Sequence, residues 1–440
     1  MNIALAKTET GRAVSNVFTA ARERLPGAGK VAELRRQAFD AFERAGLPHR
    51  RIEEWKYTDL RAQMREVLPL AAAPDAKALE RARDALKAQA IEGAARLVLV
   101  DGEFVPELSD IAALGKGVSV RTLREILEND KNEARADLLI TKASDTMISL
   151  NAALATDGVM VGIADGTALS HPIQLVHVAT ASSASSVTRS HVQVGKGARV
   201  TLVESFVAAE GAKSYQAHDA VILSIGDGAE LSQVRLLADA ADAVNITSQI
   251  LTVGAKAKIN LFNMTSGGHL SRLQGFITLA GEGSDLAING VNLLKGTQHG
   301  DTTLVVDHAV PGCTSREVFR AVVDDRAHSV FQGRIIVRPD AQKTDGKMMT
   351  RALLLSDEAE ADNKPELEIF ADDVTCGHGA TAGALDDSLL FYLRARGLAE
   401  KEAQALLIQA FVGEAIEAIP EDGLREAAMA AAERWLEARG

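Results

Sequence analysis

Residues 191–206 read HVQVGKGARVTLVESF, 221–237 read VILSIGDGAELSQVRLL, 249–264 read QILTVGAKAKINLFNM and 275–294 read GFITLAGEGSDLAINGVNLL. Each is an alternating apolar strand, a turn of small residues, and a second strand. The four recur roughly every 30 residues, a spacing that belongs to repeat architectures. One such unit alone exposes too much sheet edge to be stable. Stacking the units pairs those edges and buries a continuous core. A β-sandwich is the rival, but near-equal strand–turn–strand units favour a β-solenoid. The expected fold is therefore mainly β.

Outward from this stretch, the β pattern starts at about Val159 and runs on through VFQGRIIVRPDAQKTDGKMMTRALLL (330–355) to the neighbourhood of Cys376. LVLV-DG-EFV (97–105) reads as a hairpin with an Asp-Gly turn. The chain divides into an N-terminal helical region (1–95), a solenoid core (96–383, with an edge hairpin at 96–106) and a C-terminal helical region (384–440). In the first, Val31, Leu34, Ala38, Ala41, Phe42 and Ala45 follow helical spacing until Gly46 and Pro48. Residues 76–93 read as a solvated helix. Trp55 and Tyr57 read as packing anchors for the N-terminal helices. In the third region Asp386 or Asp387 caps a helix that Gly397 ends. A second helix carries Ala403, Leu407, Phe411 and Ala415 as its stripe, widened by Leu406 and Ala410. A short last helix carries Leu424, Ala428, Ala431, Trp435 and Leu436. The helices are expected to cap the stack at both ends, to offer a docking platform, or both. The acidic run from Ser356 reads as a solvated loop.

Across 440 residues the net charge is −12, so nonspecific nucleic-acid binding is not expected. No apolar run is long enough for a transmembrane helix. The opening MNIALAKTETGR lacks a secretory core, and two cysteines are too few for a disulfide framework, so a cytoplasmic protein with free thiols is expected. No Walker A, HExxH, CxxC or GxSxG motif occurs. The chain therefore carries none of the corresponding hydrolytic machinery.

The chemistry-bearing candidates are Cys376 and His378, within FADDVTCGHGATAG (370–383). In an extended segment, residues two apart face the same way. A thiol and an imidazole are soft-metal ligands, but two ligands are half of the usual four. A second chain would have to complete such a site. The plain alternative is a small buried cysteine beside a satisfied histidine. Cys313, after a Pro-Gly turn, fits that alternative better. His299, His308 and His328, near Asp301, Asp307 and Asp325, read as turn residues and hydrogen-bonded surface groups rather than acid–base catalysts. Tyr392, Arg394, Arg396 and Phe411 are residue types suited to a partner interface.

RIEEWKYTDL (51–60), the long stretch GRIIVRPDAQKTDGKMMTRALLLSDEAEADNKPELEIFADDVTCGHGATAGALD (333–386) and FYLRARGL (391–398) carry a resemblance. Together they resemble the SufB/SufD family of the SUF iron–sulfur cluster assembly machinery, and the low cysteine count matches its SufD branch. The resemblance implies a right-handed parallel β-helix between helical regions, and a non-catalytic scaffold on which a transient iron–sulfur cluster forms. It implies pairing with SufB through the β-helices, a SufC ATPase held by the C-terminal helices, and a homodimer when the chain is isolated. It places Cys376 and His378 at the SufB interface, the histidine working with a cysteine from SufB. Reduced flavin is also linked to such complexes, although no flavin motif is present. Two other function classes remain: a β-helical carbohydrate-active enzyme, disfavoured by the 4% aromatic content, and a purely structural, polymerising solenoid.

Overall fold

The computed structural model describes residues 9–87, 90–129, 137–141, 143 and 145–439. Residues 1–8, which open the chain, and residues 88–89 of the expected 76–93 helix lie outside them. The repeats build a parallel β-solenoid of about eight turns. Each coil contributes one strand to each of two sheets. The ten-stranded sheet runs from Glu103–Phe104 through Ala95–Val100 to Thr375–Gly383, and the nine-stranded sheet from Val118–Thr122 to Glu360–Ile369. Coil length varies without disturbing register: stacked partners Val253 and Leu279 are 26 residues apart, and Val337 and Ile369 are 32 apart. The turns absorb the difference.

The lumen between the sheets is filled by alternate strand residues, among them Leu202, Leu231, Ile259, Ile288, Val306, Ile335 and Met348. The opposite strand faces are also covered. Helices Lys30–Ala45 and Thr146–Leu154, with the Trp55 segment, pack Phe42, Trp55, Leu60 and Leu150 onto Val187, Ile246 and Leu270 of the nine-stranded sheet. Helices Glu400–Ile416 and Asp422–Glu437 pack Ile408, Val412, Leu424 and Trp435 onto Val234, Phe262, Val291 and Val322 of the ten-stranded sheet. Central strands are thus buried on both sides, the usual state of parallel sheets.

This arrangement corrects the expectation of helical end caps. Both helical groups lie along the flanks, where the outward apolar rows give them something to bury against. At the N-terminal end the solenoid is finished by antiparallel strands: Val118–Thr122 on Val159–Ile163, and Glu103–Phe104 on Ala95–Val100. The latter hairpin turns at Asp101 (φ 49°) and Gly102 (φ 88°), the left-handed pair that a two-residue turn requires. The C-terminal end carries no such cover among the described residues.

Other differences are local. The acidic run is a strand, Glu360–Ile369, not a loop: it pairs along its whole length with His328–Val337. Pro365 is tolerated there because the strand is the last of its sheet, so the missing N–H faces no partner. The helix Ala76–Lys87 buries Ala82 and Leu86 rather than standing in solvent. The second C-terminal helix buries Ile408, Val412, Ala415 and Ile416, leaving Leu407 and Phe411 half-buried and Leu406 and Ala410 exposed. The last helix is not short; it runs 16 residues and buries Ala432 where Ala431 was expected. Helices Leu123–Glu128 and Thr146–Leu154 fall inside the 96–383 interval, and the latter packs with the N-terminal helices.

Candidate functional site

Thr375–Gly383 is the last strand of the ten-stranded sheet. Its inner neighbour is Asp345–Leu354, with Cys376 over Gly346 and His378 over Met348. Met348 belongs to the lumen core, so both Cys376 and His378 occupy the inward-facing row of the strand. Cys376 is half-buried against that core beside Leu367 and Val374, whereas His378 is exposed. The two residues therefore share the mouth of the lumen, with one side of their strand unpaired. Gly346 leaves no side chain beneath Cys376; a Cβ there would stand 3.4 Å from Ser315 Oγ.

Burial raises the Cys376 thiol above its ordinary pKa, and the Asp345 carboxylate adds to the effect against a hydrogen bond from the Gly346 N–H. An apolar bed without a facing cation favours the thiol over the thiolate. A metal ion at the mouth would supply the missing positive charge. Among the described residues no group of three or more His, Cys, Asp or Glu comes together to hold a metal ion. Near the mouth the outer faces are charged: Arg334 lies 3.5 Å from Glu366 and 3.4 Å from Glu368, and Arg316 lies 2.6 Å from Asp345. Ile369 and Phe370, at the end of the other terminal strand, are large apolar residues left exposed.

Cys313 is fully buried in the lumen core, its Sγ 3.4 Å from the Gly281 carbonyl, and burial raises its pKa. His299 sits under the N-terminal segment, 2.9 Å from Thr58 Oγ1, and burial lowers its pKa to about 4. Asp301 pairs with Arg272, and Asp307 with Arg338 at 2.9 Å. Asp325 lies in a turn and accepts from the Gly296 N–H. Hydrogen-bonded roles are therefore present, but His299, Asp301 and His308 are buried on a strand and are not the surface groups expected, because the N-terminal segment covers one face of that strand and the lumen the other. Trp55 does more than pack helices: it reaches the solenoid through Arg272.

The partner-type residues lie apart from the mouth, on the C-terminal helices. Asp386 caps Asp387–Ala395, accepting from Ser388 N at 2.8 Å and Leu389 N at 3.1 Å. This helix buries none of its side chains. Tyr392 is exposed and bonded to Arg396 (3.1 Å), and Arg394 pairs with Glu400 at 3.5 Å. Phe411 is half-buried under the Arg320 guanidinium. Leu389, Phe391 and Leu406 on the same helices are also exposed. The apolar stripe read from the sequence did not show which of these apolar side chains stay exposed. Also missed was Glu317, although its even spacing with Ser315, Phe319 and Ala321 marks it as inward-facing.

The geometry defines a class: a flank-braced β-solenoid with a cysteine and a histidine on the inward row of its last strand. Residues 16–175 match the SufBD protein N-terminal region, and residues 177–411 match the SUF system FeS cluster assembly, SufBD core domain. The chain is 32% identical over 391 residues to the iron–sulfur cluster assembly protein SufD of Escherichia coli, covering 88% of this chain and 89% of that one. It is 31% identical to an iron–sulfur cluster assembly SufBD family protein of Synechocystis, covering 88% and 87%. SufD of Bacillus subtilis is 25% identical over 66% of each chain. The chain belongs to the SufBD family, whose role is in SUF iron–sulfur cluster assembly. No helix among the described residues is long and apolar enough to cross a membrane.

Proposed function

We propose that this chain is a non-catalytic scaffold subunit that pairs with a SufB-type partner at the open end of its solenoid and carries a SufC-type ATPase on its C-terminal helices. The observation that carries this reading is the placement of Cys376 and His378 side by side on the inward row of a terminal strand with one free edge. A second solenoid docking there pairs the free backbone groups and brings further ligands to the half-set. The iron–sulfur cluster is cargo, formed at the joint and passed on. Cys376 loses its proton to become a ligand as iron arrives, and the His378 imidazole binds as the neutral base. When isolated, the same edge serves a second copy of the chain.

The exposed face built by Leu389, Phe391, Tyr392 and Leu406 is the ATPase platform. ATP-driven closure of the ATPase subunits strains the helices, which are bonded to the solenoid through Asn260 Nδ2 to the Ala418 carbonyl (2.8 Å) and Arg320 to Glu414 (2.6 Å). The strain shifts the joint between closed and open arrangements. Electrons come from outside the chain, with reduced flavin as the donor class. The test is His378→Ala in the reconstituted complex. The expected result is intact assembly with loss of cluster loading; full loading by the variant removes the histidine from the mechanism. Deleting the chain from Asp386 onward abolishes ATPase binding and leaves solenoid pairing in place.

A further inference from the structure

Glu317 projects into the lumen from Thr314–Val323, stacked between Ile288 on one side and Met348 on the other. Met348 in turn lies beneath His378. The column Glu317–Met348–His378 thus places a carboxyl two coils inside the mouth, about 10 Å below the histidine at the usual strand spacing. Glu317 is 1% exposed, and neither carboxyl oxygen has a hydrogen-bond partner. A buried polar group left in that state calls for an explanation.

No counter-charge faces it. The adjoining strands present Ile288 and Met348, its own strand presents Phe319, and the strands across the lumen present Val306 and Ile335. The nearest inward-facing titratable group on those strands is His308, whose Nε2 lies 3.0 Å from Ser315 Oγ. Burial drops the His308 pKa to about 4, so it is neutral. Glu317 is correspondingly held protonated, its pKa pushed up to about 8 by burial.

We propose that Glu317 is the charge-compensating group of the Cys376–His378 mouth: it releases its proton when a divalent metal ion is seated there, and its carboxylate then helps retain that ion. This rests on the mouth being the metal-loading site. The proton balance is simple. The ion displaces one proton from the Cys376 thiol and, through the field alone, up to one more from the Glu317 carboxyl; both leave to solvent. The ion and the thiolate it creates leave one net positive charge at the mouth; about 10 Å away at an effective dielectric of about 20, that charge favours the carboxylate by on the order of tenfold. Linkage is reciprocal, so the ionised carboxylate favours the bound ion by the same factor.

The experiment titrates cobalt(II) into the full chain copurified with its SUF partners, in wild type, Glu317→Gln, and a Cys376→Ser/His378→Ala double variant. Wild type is expected to bind about twofold more tightly than Glu317→Gln near pH 7 and severalfold more tightly near about pH 8, with the difference gone near about pH 5.5, where Glu317 stays protonated in both states. Equal affinities and equal proton release in wild type and Glu317→Gln overturn the proposal while leaving the mouth as the metal site. Cobalt binding undiminished in the double variant overturns both. Infrared difference spectra of wild type with labelled glutamate give a readout independent of the variants. The buried protonated carboxyl band weakens on cobalt addition, and a band of unchanged intensity overturns the proposal.

Discussion

The guanidinium carbon of Arg272 lies 3.7 Å from the centroid of the Trp55 ring. Arg272 also forms a buried ion pair with Asp301 and donates to the Glu54 carbonyl at 2.7 Å. Trp55 Nε1 donates to Asp145 at 2.9 Å. Thr58 Oγ1 bonds both Asp301 and His299, and Lys364 reaches Glu53. The EEWKYTD segment is therefore a clamp across several coils, tying the N-terminal helices to the nine-stranded sheet.

Removing the ring dismantles this clamp. Trp55→Ala leaves a large cavity and strips one face from a buried arginine. The expected destabilisation is about 3–5 kcal/mol, the usual range for deleting a buried aromatic side chain. Urea unfolding measures it, and limited proteolysis should show early cleavage between residues 46 and 76. Tyr57→Ala, which loses only the Lys56 contact at 5.1 Å, should change stability by less than about 1 kcal/mol.

Glu317 gives a pH dependence of definite sign. Its pKa is about 8 in the folded chain, well above the ordinary glutamate value. Between those two values the folded state holds a proton that the unfolded state has lost. Stability from this group is fully present below the ordinary pKa and is lost as pH rises to about 8. At pH near 8 the loss is on the order of 3–5 kcal/mol. Glu317→Gln removes the dependence, so the variant should be more stable than wild type at alkaline pH. Thermal melts across the range test this; a wild-type curve parallel to that of the variant contradicts the buried carboxyl.

The two thiols should differ in reactivity. Cys313 is fully buried and Cys376 half-buried, and burial raises both pKa values. In the isolated chain, diluted until monomeric, Cys376 should alkylate more slowly than a free cysteine at neutral pH, speeding as pH rises through its elevated pKa. Cys313 should react only on unfolding. Mass spectrometry of timed iodoacetamide reactions separates them. Docking of a partner over the mouth should protect Cys376.

The solenoid was legible because its strands and turns repeat at near-constant length, and residues two apart must share a face. That rule also put Cys376 and His378 together. Their place on a strand with one unpaired edge was not legible, because nothing in FADDVTCGHGATAG announces that no further coil follows. The flank positions of the helices were equally hidden. An amphipathic helix records that it buries one side, not which sheet receives it. Glu400–Ile416 shows the difficulty, since apolar residues run nearly all round it and the sheet chose Ile408 and Val412 over Leu407 and Phe411. The strand at 360–369 was obscured by its acidic composition, which register against His328–Val337 overrides with Arg334 and Lys364 as counter-charges.

The exposed C-terminal face separates docking from folding. Phe391 is 75% exposed, and its helix buries none of its side chains, so the fold gains almost nothing from the ring. Such a residue is costly to leave in water unless another surface covers it. Phe391→Ala should change stability by less than about 0.5 kcal/mol, as for an ordinary surface substitution. As an exposed aromatic anchor it should weaken ATPase docking by about 2 kcal/mol or more, roughly a thirtyfold loss of affinity. Calorimetric titration of the ATPase into wild type and Phe391→Ala measures the difference. Ile408→Ala, on the buried side of the neighbouring helix, should do the reverse, costing about 2–5 kcal/mol of stability and affecting docking only through unfolding. If Phe391→Ala docks normally while Ile408→Ala fails in the folded state, the partner sits elsewhere than on this face.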